Sequence, residues 1–322
     1  MYPIIYYVLA LLLTFTKEEI HPAAEQIYLA DPTVFNDDGK YYLYGTDGFN
    51  ADSGFHVVVS NDLKHWKKRD DDKRALSSGE SFGSKGFWAP QVFHHHGRYY
   101  MAYTANEHIA IAHSDNPAGP FKQTHINTID ADVKQIDPFV FKDDDGRIYL
   151  YHVRLQNGNR IFVAELKSDL SEMLPSTSQE CVSAEINPQP WENTQQVKWA
   201  VTEGPTVIKR GSVYYMFYSA NDFRNPGYAV GYAVADNPCG PWKKYEGNPI
   251  ISKSITGSNG SGHGDIVRDE TGDYYYVFHT HFSSEKVTPR KTAMIKIRFA
   301  DNGNGESMYA DALSFKFLKS GK

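Results

Sequence analysis

The chain has 322 residues, a formal net charge of -6 and 41% hydrophobic side chains. Its lysines and arginines are scattered rather than bunched, so the basic stripe that tracks phosphates is missing and a nucleic-acid partner is excluded. Two cysteines, Cys181 and Cys239, exclude a disulfide-dense scaffold, belong to no metal-binding spacing, and read as two separate thiols.

In chain order, the first feature is an apolar run from Ile4 to Phe15, of the length of a signal-peptide core and too short for a comfortable membrane span. It predicts an exported protein with a leader over residues 1–24 and no span in the mature chain. The absence of Lys or Arg before the run, and Pro22 where a small residue is expected, leave a buried strand or tether as the alternative.

From residue 25 onward one unit recurs. Its opening reads Ala30-Asp31-Pro32-Thr33-Val34-Phe35, then Trp88-Ala89-Pro90-Gln91-Val92-Phe93, Ile136-Asp137-Pro138-Phe139-Val140-Phe141, Thr202-Glu203-Gly204-Pro205-Thr206-Val207 and His263-Gly264-Asp265-Ile266-Val267. Positions 32, 90, 138, 205 and 264 fall in register, which marks one structural unit used five times. After each opening comes a polar turn with glycine and a tyrosine-rich alternation, as in Asn36-Asp37-Asp38-Gly39-Lys40-Tyr41-Tyr42-Leu43-Tyr44, the signature of a β-hairpin.

A second motif follows the hairpins: Ser114-Asp115-Asn116-Pro117-Ala118-Gly119-Pro120 is nearly repeated by Ala235-Asp236-Asn237-Pro238-Cys239-Gly240-Pro241. It predicts a turn between a third and a fourth strand. Four strands per unit, five units and little helical periodicity give an all-β, five-bladed β-propeller as a single domain over residues 25–322. Twisted sheets of this kind stack radially because none can cover both of its apolar faces alone.

Innermost strands of a propeller converge on its axis, so Asp31, Asp137, Glu203 and His263 are expected to meet despite their separation in sequence. Splitting a glycosidic bond requires one carboxyl to protonate the departing oxygen and an opposed one to act at the anomeric carbon. A third carboxylate nearby raises the acid's pKa by like-charge repulsion. An Asp-Pro pair taken singly is often only a strand-opening turn, but Ala89 at the equivalent place in the second unit shows that the turn does not need the acid.

The segments Ala30-Asp31-Pro32, Phe87-Trp88-Ala89-Pro90, Ile136-Asp137-Pro138, Thr202-Glu203-Gly204-Pro205 and Gly262-His263-Gly264-Asp265, in this order and spacing, resemble glycoside hydrolase family 43 over nearly the whole chain after the leader. The resemblance implies inverting hydrolysis with Asp31 as general base, Glu203 as general acid and Asp137 as the group that tunes and orients the acid. Base and acid would then stand about 6.5–9.5 Å apart. It also implies that His263 lies by the axis beside a calcium ion or a water cluster, water supplying most of the ligands, and that no organic cofactor is used. Arg290 falls where relatives place a cation that holds substrate hydroxyls or the tuning carboxylate.

Trp88 and Phe87 are candidates for the apolar wall of the sugar pocket, with packing between blades the alternative for Phe87; Trp199 ranks behind them. The substrate range implied is pentose-containing cell-wall glycan, with release of terminal L-arabinofuranose or D-xylose ahead of endo-acting arabinanase or xylanase activity. A non-catalytic sugar-binding propeller is the alternative of another class. His94-His95-His96 looks like a metal tract, but it opens a hairpin turn before Gly97 and reads as exposed surface.

Overall fold

The computed structural model describes residues 24–69, 71, 73–129, 133–301 and 306–321; most of the expected leader, including Ile4 to Phe15, lies outside the described residues. Five sheets, antiparallel except where Lys319–Gly321 runs parallel to Trp66–Lys68 in the first, are arranged as the blades of a propeller, each opened by its innermost strand: Leu29–Asp37, Trp88–His95, Gln135–Lys142, Thr202–Arg210 and Gly262–Arg268. No helix among the described residues is long and apolar enough to cross a membrane.

The doubled tyrosines follow from the two-residue period of a strand, which sends neighbours to opposite faces. In the first blade Tyr42 and Tyr44 pack against Met101 and Tyr103 of the second, while Tyr41 and Leu43 face Val267 and Val277 of the fifth. Tyr149 and Tyr151 of the third blade meet Tyr214, Met216 and Tyr218 of the fourth; Tyr215 and Phe217 turn instead toward Tyr276 and Ile295 of the fifth. Ala102 and Ile109 meet Val140 and Leu150 between the second and third blades. Every blade interface therefore has its own apolar cluster.

A buried phenol needs a partner for its hydroxyl. Tyr44 donates to the carbonyl of Pro117, and Tyr151 donates to that of Pro238 at 2.5 Å. The repeated Asn-Pro turn thus serves as an acceptor for the tyrosine of the preceding blade.

The second blade departs from the four-strand expectation. It has three strands, Trp88–His95, Arg98–Ala105 and His108–Ser114, and a single bridge between His113 and Lys122 where a fourth would run. Beyond the Asn-Pro turn the chain leaves the blade, because the Phe121 amide bonds the Ala75 carbonyl beside the small pair formed by Gly54–Phe55 and Leu76–Ser77. The ring closes at the first blade, where Lys319–Gly321 lies between Glu25–Gln26 and Trp66–Lys68. Cys181 is a buried free thiol and Cys239 a half-buried one.

Candidate active site

All five innermost strands carry a register shift at the same place, between Ala30 and Thr33, Trp88 and Gln91, Ile136 and Phe139, Glu203 and Thr206, and Gly262 and Gly264. In the first four, two residues face one on the neighbouring strand and the second is proline, which has no N–H to leave unpaired in the broken ladder. The extra residue has a left-handed backbone in every blade: φ is 48° at Asp31, 44° at Ala89, 56° at Asp137, 61° at Gly204 and 42° at His263. Four of these are not glycine, and each of those four stores strain on the order of 1 kcal/mol. The bulge turns the side chain off the pleat, and Asp31, Asp137 and His263 line one cavity at the axis.

Glycine at the fourth bulge has a steric cause. A Cβ on Gly204 would stand 2.7 Å from Cδ2 of His263, so the acid of that blade sits one residue earlier, at Glu203. Glu203 also lines the cavity, which measures about 480 Å³ and is bounded further by Trp88, Asn159, Trp199, Phe223 and Arg290. This is within the usual range for a small-ligand pocket, roughly 300–1,000 Å³.

The three carboxyls have different surroundings. Asp31 is gripped by Arg290, with Nη1 2.9 Å from Oδ1 and Nη2 3.3 Å from Oδ2, and accepts the Thr46 hydroxyl at 2.7 Å. Burial pushes its pKa up, but the Arg290 charge, with His263 and His279 nearby, outweighs this and holds Asp31 well below the usual carboxylate range. Burial lowers the pKa of both histidines, that of His279 to about 3, so near neutral pH they serve as uncharged partners and Arg290 supplies the charge.

Glu203 accepts the Tyr228 hydroxyl at 2.8 Å and the Asn159 amide at 2.9 Å. Burial raises it to about 7 against the opposing effect of those two donors. Asp137 is raised well above its ordinary value by burial and by the charges of Glu203 and Asp31. Two buried carboxyls that repel one another titrate as a pair. Asp31 is thus the acid held in its ionised form, and Glu203 the one whose proton is held up to about 7.

The second strands of the blades prepare the bulges. Thr46, Thr104, Val153, Ser219 and His279 pair with the residue just before each bulge. Four of them accept the bulge amide of the next blade: Thr46 from Ala89 at 3.0 Å, Thr104 from Asp137 at 3.0 Å, Ser219 from His263 at 2.8 Å and His279 from Asp31 at 3.1 Å. Val153 has no acceptor to offer. The freed Gly204 amide donates to Oδ2 of Asp137 at 3.3 Å instead.

The chain is matched by the family model for glycosyl hydrolases family 43 over residues 24–304. It belongs to that family. A solved structure titled endo-1,4-beta-xylanase from Bacteroides thetaiotaomicron is similar to it with a TM-score of 0.85 and 39% identity, covering 93% of this chain and 100% of that one. A beta-xylosidase of Xylanibacter ruminicola is 27% identical over 299 residues, 78% of this chain and 87% of its own length. A xylosidase/arabinosidase of Bacteroides ovatus is 27% identical over 290 residues, 78% and 85% of the two chains.

For this family 43 chain, the site residues expected from sequence fall as follows. Asp31, Asp137, Glu203, His263, Arg290 and Trp88 all line the cavity. Phe87 does not: it is fully buried, stacked on Tyr103 and set edge-on to Phe55. One position before Trp88, it packs into the cluster between the first two blades, and the packing alternative holds for it. Arg290 is bonded to Asp31 rather than to the tuning carboxylate. Trp199 is about half exposed and stands in the cavity wall.

Residues that sequence reading missed are Asn159, Tyr228, Thr46 and His279, each bonded to one of the acids or its backbone. His263 Nδ1 lies 3.4 Å from Asp31 Oδ1 and 3.8 Å from Asp137 Oδ2. Below it an axial cavity of about 20 Å³, lined by Thr33, Gln91, Thr206 and Asp265 among others, has room for one water. The protein's own donors do not close a cage for a hard cation: among the described residues no three His, Cys, Asp or Glu converge as a metal set.

Proposed function

We propose that this chain is an exported, inverting glycosidase acting on pentose-containing glycan, releasing terminal D-xylose or L-arabinofuranose. The observation that carries the reading is the division among three carboxyls brought together from three blades. Asp31 is kept ionised by Arg290 and Thr46, whereas Glu203 is kept protonated up to about 7. Asp31 takes a proton from water as its oxygen attacks the anomeric carbon. Glu203 gives its proton to the departing glycosidic oxygen, and the product carries the opposite anomeric configuration. The negative charge of Asp137 opposes ionisation of Glu203, so Glu203 keeps its proton for the leaving group.

Pentose as the substrate rests on the beta-xylosidase, the xylosidase/arabinosidase and the endo-1,4-beta-xylanase to which the chain is similar. The last of these favours a second reading, internal cleavage of a xylan chain. Export rests on the apolar run from Ile4 to Phe15. A calcium ion beside His263 would be held mainly by water; no catalytic step depends on it in this reading. Treatment with a chelator is therefore expected to leave turnover intact.

The test is hydrolysis of xylo- and arabino-oligosaccharides followed by proton NMR in the first minutes. Single pentose units with inverted anomeric configuration are expected. Mixed short oligosaccharides would select the internal-cleavage reading, and retained configuration would overturn the assignment of Asp31 as base. Binding without turnover on every pentoside would sink the enzymatic reading altogether.

A further inference from the structure

Glu203 meets its two hydrogen-bonding neighbours through different oxygens. Oε2 accepts from Nδ2 of Asn159 at 2.9 Å, and Oε1 accepts from the Tyr228 hydroxyl at 2.8 Å. The two neighbours differ in what they can do. Trp199 Nε1 donates to Asn159 Oδ1 at 2.9 Å. An indole N–H can only donate, so Oδ1 must face Trp199 and the NH2 end of the amide must face the acid. That end has no lone pair to offer a proton, whereas the Tyr228 hydroxyl can give or take a hydrogen bond.

These constraints place the proton. A neutral carboxyl has one hydroxyl oxygen and one carbonyl oxygen, and the carbonyl oxygen is the better acceptor. Asn159 claims Oε2 as that acceptor, which leaves Oε1 to carry the hydrogen. We infer that Glu203 holds its proton on Oε1, that Oε1 is the atom that protonates the departing group, and that Tyr228 is a positioning residue whose hydroxyl donates to Oε1 as negative charge forms there. The inference rests on the role given above to Glu203 as general acid.

In the step itself the Oε1–H bond breaks and its electron pair stays on Oε1. The proton joins the glycosidic oxygen, which takes the electrons of the breaking bond to the anomeric carbon. The water oxygen forms the new bond there and gives a proton to Asp31. A hydrogen bond to an anion is about twice as strong as one to a neutral oxygen, so the Tyr228 bond is worth more after the transfer than before it. An interaction that strengthens as the transition state forms is the kind that accelerates a reaction.

The fold holds the phenol to this task. Tyr228 is fully buried, and its ring lies nearly parallel to that of His279 at 5.7 Å, the residue that accepts the Asp31 amide. Its own amide closes a turn onto the Asn225 carbonyl at 3.0 Å. The fifth blade makes room for the ring with a glycine: a Cβ on Gly262 would stand 2.3 Å from Tyr228 Cε1. Burial, with the charges of Glu203 and Asp31, keeps the phenol well above its ordinary pKa, so it remains a donor near neutral pH.

The first experiment is the pH profile of Tyr228→Phe on a pentotriose and on the 4-nitrophenyl glycoside of the same pentose. The charged groups around Glu203 are Asp31, Asp137 and Asp222, which oppose its ionisation, and Arg224, which favours it; the substitution leaves all four in place. The Tyr228 hydroxyl lowers the Glu203 pKa, so its removal should move the basic limb on the triose upward. On the triose kcat should fall roughly 10–100-fold, and far less on the aryl glycoside, whose leaving group needs little proton help. An unmoved limb, or equal losses on both substrates, would overturn the role given to Tyr228.

Infrared spectroscopy locates the proton without turnover. At about pH 5, where Glu203 is protonated, its carbonyl stretch is identified by its loss in Glu203→Gln and compared in wild type, Asn159→Ala and Tyr228→Phe. A carbonyl oxygen that loses a donor stretches at higher frequency. With the proton on Oε1, the band should rise in Asn159→Ala and stay nearly in place in Tyr228→Phe. The reverse pattern, or a band that moves equally in both or in neither, would overturn the inference. Wild type inactive on every pentoside would count against the proposed function, and the infrared comparison would still decide which oxygen bears the proton.

Discussion

Arg290 holds Asp31 by two hydrogen bonds, 2.9 and 3.3 Å long, and its guanidinium lies 4.6 Å from the ring centre of Phe223. The planar fork matches a carboxylate, and the aromatic face fixes the plane of the fork. A lysine can supply the charge but neither the second bond nor the stack. Arg290→Lys is therefore expected to reduce kcat by roughly 10–100-fold, the loss of about 1.5–3 kcal/mol that follows when a charged hydrogen bond is removed. Because the Arg290 charge lowers the pKa of Asp31, its weakening raises that pKa. The acidic limb of the pH–rate profile should move to higher pH in Arg290→Lys, and an unmoved limb would separate Arg290 from the base.

Glu203 predicts the opposite limb. A general acid works only while protonated, and burial keeps Glu203 so up to about 7, so turnover of substrates with poor leaving groups should fall above that pH. Glu203→Ala should cost at least a hundred-fold on such substrates and far less on aryl glycosides whose leaving group departs without a proton. Asp137→Asn removes a neighbouring negative charge and should shift the basic limb downward. Equal losses for Glu203→Ala on both substrate types would mean that Glu203 is not the proton donor.

The sequence showed the acids and not their supports, for a physical reason. An acid at a bulge leaves a local signature, because proline, which has no N–H to leave unpaired, follows it at Asp31-Pro32 and Asp137-Pro138. Thr46, Thr104, Val153, Ser219 and His279 have no residue type common to all five; what all five share is register. A signal did exist: these positions lie seven residues after the hairpin glycine in four units and eight in the fourth, from Gly39, Gly97, Gly146, Gly211 and Gly272. Asn159 and Tyr228 have no such marker, since each reaches Glu203 from the third strand of its blade or the loop before it. Phe87 and Trp88 are adjacent aromatics of which strand geometry sends only one to the cavity.

Val153 offers a test of the register pattern. A threonine there would place a hydroxyl where Thr104 has one, and the Gly204 amide would turn to it as the Asp137 amide turns to Thr104. Asp137 would lose a donor that lowers its pKa, and its titration would move further upward. Val153→Thr is expected to reduce kcat by about ten-fold with Tm nearly unchanged, in line with one lost hydrogen bond to a carboxylate. Val153→Ala should behave in the reverse way, lowering Tm through a cavity in the cluster between the third and fourth blades and leaving the Gly204 bond in place. If both variants lose only stability, the missing acceptor has no part in positioning Asp137.

Lys244 provides the last prediction, and it concerns the loop that brings Trp199 to the site. Lys244 Nζ is 2.7 Å from Glu192 Oε1 and donates to the Ser183 carbonyl at 2.8 Å, with both charged side chains buried. Glu192 in turn accepts the Tyr218 hydroxyl at 2.8 Å and the Gln189 amide at 2.8 Å, so one ion pair joins the fourth blade to the chain leading to Trp199. Removing one partner leaves the other charge buried without compensation, which costs about 3–5 kcal/mol, whereas replacing both with apolar groups costs far less. Lys244→Met should lower Tm markedly, and the double variant Lys244→Met with Glu192→Leu should recover much of it. A double variant no more stable than Lys244→Met would show that an uncompensated buried charge is not the source of the loss.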